Sequence, residues 1–386
     1  MKVRIFIPFI LGVLLAIGGC SFQSASQFAT EPVEQTNPTP PPPPPPKKVR
    51  ITAFGDVMMH TPQIRAGKQA EGQYQFDSFF QEVKPILSSA DVTIGNFETV
   101  LAGSQKGYHG YPLFNAPDAL ADSLHHAGVD LVSTANNHAL DQGTNGLIRT
   151  YQTLTQKQLL PVGTAPTSAE RKPTFVEKNG VKMAFLAYTQ STNGLPIPTD
   201  KPYLVNKIDF NQIEQDIQTV RTEGVDAIFV SLHFGDEYLR QPNKYQEDTA
   251  MKILDLGADV ILGSHPHVVQ PIKEVEVNGK KKLIVYSMGN FISNQTKTYT
   301  DEGIIVMIDL LKEHDETKIE AVSYLPTYVH QFYQNGKKNY VILPLDSKDV
   351  HPSLQYPGIN QAKWTSARQH TVSQMNQAIP VFSSTP

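Results

Sequence analysis

Short segments of the chain alternate between apolar and polar residues, which predicts β-strands. The first runs from Val49 to Phe54 and leads into Gly55. Later apolar runs rich in β-branched residues lie at 92–94, 131–133, 227–230 and 260–262. Amphipathic stretches that predict helices lie at 76–88, 118–127, 144–157, 209–223 and 244–256. Strand–helix alternation at this spacing indicates βαβ units and a largely parallel sheet, so the predicted fold class is α/β.

Two later segments predict antiparallel hairpins instead. Residues 174–188 would turn at Asn179-Gly180, and residues 272–288 would turn at Asn278-Gly279. The Asn-Gly pair is the strongest short signal for a hairpin turn. Further strands are predicted at 303–311 and 318–330.

The N-terminus joins a short basic start to a short apolar run. Lys2 and Arg4 precede the largely apolar residues 5–17. This run is shorter than the ~18–20 residues that span a bilayer, so it favours a signal peptide. It ends in Gly18-Gly19-Cys20, which resembles a bacterial lipoprotein signal and implies that Cys20 carries the lipid. The alternative is an ordinary signal peptide, or a buried first helix, with an incidental cysteine.

Pro40 to Pro46 form an unbroken proline run after this signal. Such a run takes the polyproline II conformation at ~3.1 Å per residue and acts as a semi-rigid spacer. A ligand for a proline-binding domain is the alternative. We therefore predict a signal peptide at 1–19, a lipidated Cys20 with a linker at 20–48, a large domain at 49–345 and a wrapping or frayed tail at 346–386.

Composition narrows the possible functions. With 33 Lys+Arg against 37 Asp+Glu, the formal charge is −4, which argues against a general nucleic-acid binder. Cys20 is the single cysteine, which excludes an intramolecular disulfide framework, an all-cysteine zinc site and a thiol redox pair.

Polar segments that contain the candidate functional residues follow the predicted strands. They lie at 55–60, 95–98, 135–138, 233–238 and 263–267, and they contain histidine, carboxylate and carboxamide side chains. Open α/β sheets bind ligands beyond the carboxyl ends of their strands, so we expect these segments to meet in one cleft. This mixture of ligands suits Zn, Mn or Fe, whereas Ca prefers oxygen alone. The alternative is a set of polar groups that satisfy one another at the strand ends.

Six segments in order resemble the CapA/PgsA family of capsule or poly-γ-glutamate synthesis proteins. They are residues 55–58, 95–98, 135–141, 233–238, 264–267 and 287–291, within a match over about 50–345. The family is similar in turn to calcineurin-like metallophosphoesterases. The resemblance implies a two-sheet sandwich flanked by helices, and it makes 49–345 a CapA-like domain of the metallophosphoesterase type.

The resemblance also implies roles for individual residues. The implied metal ligands are Asp56, Glu98, Asn137, His233, His265 and His267. Within this set Asp56 resembles the first metal-binding aspartate, and Glu98 stands at the position of a bridging carboxylate. His138 resembles the catalytic histidine that assists the leaving group. The implied cofactor is one or two divalent ions of Mn, Zn or Fe.

The sequence departs from the phosphoesterase pattern at one position. Those enzymes have a histidine two residues after the first aspartate, where this chain has Met58. His60 is two residues further on and would point elsewhere unless the loop bends. One of the two metal positions is therefore in question.

Three further residues are candidates for supporting contacts. Glu237 would orient a metal-bound histidine, with a surface glutamate as the alternative. Tyr238 and Asn290 are candidates for contact with substrate or with a ligand. Serine catalysis by Ser264 beside His265 is a poor alternative, because the Gly-x-Ser-x-Gly elbow is missing.

Three functions remain open. The first is a lipid-anchored, extracytoplasmic component of capsule or poly-γ-glutamate production that acts beside polymer synthase subunits on an anionic polymer. The second is a metal-dependent phosphoesterase, and the third is a non-catalytic scaffold with a vestigial site, which Met58 favours. The expected location is the cell membrane, through Cys20.

Overall fold

The computed structural model describes residues 45–70, 72–334 and 336–382. The chain divides into two units, Met1–Pro43 and Pro44–Pro386, and every described residue belongs to the second. The predicted signal peptide, Cys20 and most of the proline linker lie outside the described residues. Within the described part of the chain, no helix has the length and apolar character needed to cross a bilayer.

Strands and helices alternate through the first two thirds of this unit, and strands dominate after that. The strands are β1 (Lys47–Val57), β2 (Val92–Phe97), β3 (Leu131–Ser133), β4 (Leu160–Val162), β5 (Thr174–Lys178), β6 (Val181–Thr189), β7 (Ala227–His233), β8 (Val260–Ser264), β9 (Ile272–Val277), β10 (Lys280–Val285), β11 (Asn290–Ile292), β12 (Glu302–Glu313), β13 (Glu316–Gln334) and β14 (Lys337–Pro344). The α-helices are α1 (Thr61–Gly67), α2 (Asp77–Phe80), α3 (Lys84–Leu87), α4 (Ala119–His126), α5 (Gly143–Gln156), α6 (Phe210–Thr222), α7 (Lys244–Leu256) and α8 (Gln361–Val372).

The described strands form two mixed sheets. The first has the order β14-β13-β12-β1-β2-β3-β4, and β11 also pairs with β1. The second has the order β5-β6-β7-β8-β10-β9. Strands β1 to β4 are parallel in the first sheet, as are β6, β7, β8 and β10 in the second. The parallel pattern therefore describes the centre of each sheet, and antiparallel strands complete both.

The two predicted hairpins are confirmed at the edges of the second sheet. Strands β5 and β6 turn at Asn179-Gly180, and β9 and β10 turn at Asn278-Gly279. All four turn residues have positive φ, between 51° and 73°. This geometry matches the right-handed twist of the flanking strands, which is why Asn-Gly is favoured there.

The two sheets pack face to face, and helices cover their outer faces. Ile51 and Ala53 of β1 belong to the same buried cluster as Phe185 and Phe229 of the second sheet, so this cluster fills the interior of the sandwich. Phe54, the next residue of β1, points the other way. It packs with Phe76, Phe80 and Leu120 of the helical layer. On the opposite side, α6 packs Ile213 and Ile217 against Ile228 of β7.

Aspartates at the amino ends of the parallel strands fix the register between neighbours. They are Asp91, Asp130, Asp226 and Asp259, and each accepts a backbone N–H from the adjacent strand at 2.8–2.9 Å. These bonds satisfy donors that the ladder leaves unpaired at this edge. The opposite edge, at the carboxyl ends, remains available for other chemistry.

The C-terminal segment packs along the first sheet. Its helix α8 buries Trp364 against Tyr328 and Leu343, and the indole Nε1 donates to Ser347 O at 3.0 Å. Further on, Phe382 N donates to Tyr324 O at 2.7 Å. Neither α8 nor β14 was predicted from the apolar pattern.

Candidate metal site

The predicted polar segments meet where the parallel strands of both sheets end. Asp56 lies near the end of β1, and Glu98 follows β2. His233 ends β7, while His265 and His267 follow β8. Because the carboxyl ends of the two sheets lie at the same edge of the sandwich, these five side chains form one cluster.

A bulge in β1 directs Asp56 into this cluster. The register of β1 with β2 shifts between Phe54 and Asp56, which is the signature of an inserted residue. Gly55 allows it, because a Cβ there would lie 1.8 Å from Gly289 O. Asp56 N donates to the same carbonyl at 3.0 Å. The glycine is therefore required by the close approach of two backbones.

The first group of potential ligands spans the two sheets. It consists of Asp56, Glu98 and His267, which are all buried. Asp56 Oδ2 lies 3.0 Å from His267 Nδ1, and Glu98 Oε1 lies 3.8 Å from His267 Nε2. Asn96 Nδ2 donates to Asp56 Oδ1 at 2.8 Å and to Glu98 Oε2 at 3.2 Å. Asn96 thus holds both carboxylates in place.

The second group shares Glu98 with the first. It adds His233 and His265, whose Nε2 and Nδ1 atoms lie 3.1 Å apart. Asn137 Oδ1 lies 3.0 Å from His233 Nε2, so this amide faces the same point. Ser264 Oγ lies 3.0 Å from His233 Nδ1 and fixes the orientation of the ring. Ser264 therefore supports a ligand here, and its hydroxyl contacts His233 rather than His265.

Glu98 belongs to both groups of potential ligands, and one oxygen of its buried carboxylate has no hydrogen-bond partner. The residue is 0% exposed, and that oxygen is Oε1. The ion pairs of Asp56 and Glu98 among the described residues are with histidines. Burial first, and then the charge of Asp56, raise the pKa of Glu98 well above its usual value.

Two histidines of the cluster, His233 and His265, favour the neutral form. Burial first, and then neighbouring imidazoles, lower the pKa of His233 well below its usual value. The same causes lower the pKa of His265 to about 4. Neutral imidazoles are ready to donate to a metal, but they do not compensate the buried carboxylates. The donor set and its uncompensated negative charge therefore fit a divalent cation.

The segment that carries two of these histidines has unusual backbone geometry. His265 has φ 100° and His267 has φ 60°, in the left-handed region that non-glycine residues rarely adopt. Such strain persists where the surroundings fix it, and it concentrates at functional sites. Here the backbone conformation directs both His265 and His267 into the cluster.

His138 lies beside the cluster and has its own carboxylate. Its Nδ1 is 2.8 Å from Asp141 Oδ2, which also accepts Phe114 N at 2.7 Å. The Phe114 ring meets the imidazole edge to face at 4.7 Å. Asp141 fixes the ring through Nδ1, so Nε2 is the nitrogen that could move a proton.

The family comparison agrees with the six sequence segments. The family model "Bacterial capsule synthesis protein PGA_cap" matches residues 50–295, which include all the candidate ligands. The chain belongs to this family. It is 28% identical over 334 residues to "Capsule biosynthesis protein CapA" of Bacillus anthracis, over 84% of this chain and 77% of the relative. It is 31% identical over 277 residues to "PGA biosynthesis protein CapA" of Bacillus subtilis (strain 168), over 67% of each chain.

The fold comparison gives more distant similarities. The calcineurin-like phosphoesterase YfkN from Bacillus subtilis matches with a TM-score of 0.42 and 14% identity, over 85% of this chain and 98% of that chain. The predicted α/β two-sheet sandwich flanked by helices is confirmed by the arrangement of the strands themselves.

In this PGA_cap protein, the loop after β1 contributes neither of its two questioned residues to the groups above. Met58 is 1% exposed, and its backbone N donates to Ile292 O at 2.9 Å. His60 Nδ1 accepts Asn294 N at 3.3 Å, and its ring meets Phe114 edge to face at 5.3 Å. Both side chains are therefore held by the fold beside the cluster.

The remaining candidates border the cluster. The Tyr238 ring lies 6.1 Å from that of His267, and its hydroxyl accepts Gln295 Nε2 at 3.4 Å. Asn290 pairs in register with Asp56, but its Nδ2 donates to Gln295 Oε1 and Thr300 O, both at 2.8 Å. Its Oδ1 has no hydrogen-bond partner. Asn290 therefore anchors the loop that supports Tyr238.

Two residues that the sequence did not single out, Asn96 and Asp141, lie in the site. Asn96 lies two residues before Glu98 on β2, so a strand pattern puts both on one face. Asp141 follows His138 by three residues, a spacing at which side chains meet in a helical turn. Both spacings are visible in the sequence, but each becomes meaningful only once the cluster is known.

Proposed function

We propose that this chain is a lipid-anchored, extracytoplasmic metalloprotein of capsule or poly-γ-glutamate production. It acts beside polymer synthase subunits, in transport, release or attachment of an anionic polymer. The observation that carries the proposal is the family match over 50–295, together with the relatives named for capsule and PGA biosynthesis.

The residues of the cluster would have separate tasks in this role. Asp56, Glu98 and the three histidines would hold one or two divalent ions of Zn, Mn or Fe. When bound, such an ion polarises an anionic oxygen and makes bound water a better nucleophile. Asn96 orients the carboxylates, and Asp141 fixes the His138 ring through Nδ1, so that Nε2 would move a proton. The bound metal ion would therefore compensate the negative charge of the polymer.

Complementation of a strain that lacks the gene tests this role. The wild-type gene should restore cell-surface polymer, and the Asp56→Asn gene should not. Asp122→Asn is the matched control, because Asp122 lies on α4 and pairs with Lys157. Unchanged surface polymer after deletion of the gene would reject the proposed role.

The anchor needs a separate experiment. We propose that Cys20 is lipidated and that the proline run holds the domain away from the membrane. Cys20→Ser should abolish labelling by a radioactive fatty acid and release the protein from the membrane fraction. Labelling that persists in Cys20→Ser would reject the anchor while leaving the metal site untouched.

A second candidate function is phosphate ester hydrolysis, and the His138–Asp141 contact favours it. That pair has the geometry of a proton donor with a fixed ring, next to a potential metal. Turnover of an aryl phosphate that stops with chelator and returns with Mn²⁺ or Zn²⁺ would support it. A protein without stoichiometric metal would instead favour a non-catalytic scaffold.

A further inference from the structure

Glu237 lies on the solvent side of the cluster. It follows β7 by four residues and is exposed, whereas Asp56, Glu98, His233 and His267 are buried. Its carboxylate nevertheless lies within 4.8 Å of ligand atoms of His265 and His267. The structure thus brings a third carboxylate to the cluster from the side that faces the solvent.

The loop around Glu237 is pinned at three points. Gly235 N donates to Gln190 Oε1 at 2.9 Å, and Asp236 Oδ2 accepts Asn243 Nδ2 at 2.7 Å. Tyr238 N donates to Pro266 O at 2.8 Å, which ties the loop to the segment between His265 and His267. The residue after Glu237 is therefore held against the segment that carries both histidines.

A third group of potential ligands contains Glu237. It consists of Glu237, His265 and His267, so it shares His267 with the first group and His265 with the second. In the loop after β1, Met58 is buried and His60 is held by Asn294, so neither side chain joins these groups.

We infer that Glu237 is a direct metal ligand that closes the cluster from the solvent side. The inference rests on the proposed metal site and goes beyond it. Because Glu237 is the exposed carboxylate of the set, it is also the ligand that an incoming anionic group displaces. The loop after β7 then tunes both the affinity for metal and the affinity for anions.

Burial first, and then an interaction with the Glu237 carboxylate, raise the pKa of Tyr238, so the test has to separate the two side chains. The test is a titration of the metal-free, full-length protein with Mn²⁺, followed by calorimetry and electron paramagnetic resonance. We expect Glu237→Gln to weaken Mn²⁺ binding by at least about tenfold. Even residues that only hydrogen-bond to a metal ligand change metal affinity by about 10–100-fold. Asp236→Asn, the neighbouring carboxylate, should bind like the wild type. Tyr238→Phe loses only a contact to the proposed ligand, so it should weaken Mn²⁺ binding less than Glu237→Gln does.

Inorganic phosphate provides the second measurement. At saturating Mn²⁺, phosphate should bind Glu237→Gln more tightly than the wild type, because the competing carboxylate is gone. A variant that merely loosens the site would bind both ions more weakly.

The outcomes separate the inference from the function on which it rests. A wild type that takes up no Mn²⁺ rejects the proposed metal site. A wild type that binds Mn²⁺ with Glu237→Gln unchanged rejects only Glu237 as a ligand, as does a Tyr238→Phe variant with the same loss. Thermal melts of the metal-free variants show whether each is folded.

Discussion

Asp56 Oδ2 and His267 Nδ1 lie 3.0 Å apart, although they come from different sheets and are 211 residues apart in sequence. The contact joins the end of β1 to the loop after β8. The metal cluster is therefore built on the junction of the sandwich, and its geometry depends on how the two sheets pack.

Asp56→Asn should weaken metal binding by about 100-fold or more. The substitution keeps the shape of the side chain but removes a charged ligand oxygen. Substituting a residue that only hydrogen-bonds to a ligand already lowers metal affinity by about 10–100-fold. Metal content after dialysis, with Asp122→Asn as the control, measures the effect. Full metal retention by Asp56→Asn would mean that the site lies elsewhere.

The same variant should be at least as stable as the wild type when metal is absent. Asp56 is the largest charged contributor to the raised pKa of Glu98, so removing its charge relieves repulsion in a buried place. With metal bound, the order should reverse, because the ion stabilises the wild type more. Thermal melts with and without chelator compare the two forms. A variant that melts lower than the wild type in both would contradict this account.

Asp141→Asn should separate proton transfer from metal binding. The amide can still accept Phe114 N, but it holds the His138 ring less firmly and without charge. If the protein hydrolyses an aryl phosphate, its turnover should fall by about 100-fold, within the range for positioned acid–base groups. Mn²⁺ affinity should stay within a factor of two or three. Loss of metal from Asp141→Asn would place this pair in the ligand scaffold instead.

His60 should make the protein sensitive to acid. Burial lowers the pKa of His60 to about 4, and Nδ1 already accepts Asn294 N, so a proton there would face another donor. A depressed folded-state pKa gives stability that is present above the unfolded value of about 6.5 and lost as pH falls towards 4.

His60→Asn provides the comparison for this effect. Relative to the variant, the wild type should lose at most about 1.4 kcal/mol per pH unit between pH 6.5 and 4. Urea denaturation of the metal-free proteins across this range gives the difference. Parallel curves for the two proteins would show that His60 does not titrate on unfolding.

Strand ends and hairpins could be predicted because their signals are local. The polar residues after β1, β2, β7 and β8 follow apolar runs, and parallel strands must bring such ends to one edge. Asn179-Gly180 and Asn278-Gly279 specify their own turns through positive φ.

The rest depends on contacts between distant segments. Nothing near Glu237 in sequence indicates that Pro266 O holds its loop against His265. Asn96 acquires its role only because Asp56 lies on the neighbouring strand. Likewise, α8 has no clear apolar face, and it is stabilised by Trp364 entering a pocket formed by β13 and β14.

Trp364→Ala should therefore destabilise the domain strongly, although it lies in the predicted tail. The side chain is 1% exposed and packs with Tyr328, Leu343 and Leu345, so truncation leaves a large cavity. The expected loss is about 3–5 kcal/mol in the free energy of unfolding. Urea denaturation measures it, with the exposed Thr365→Ala as the control on the same helix. If Trp364→Ala and the control have the same free energy of unfolding, residues 346–386 are dispensable for the fold. If Trp364→Ala is less stable, the domain extends beyond residue 345, and a truncation there exposes Leu343.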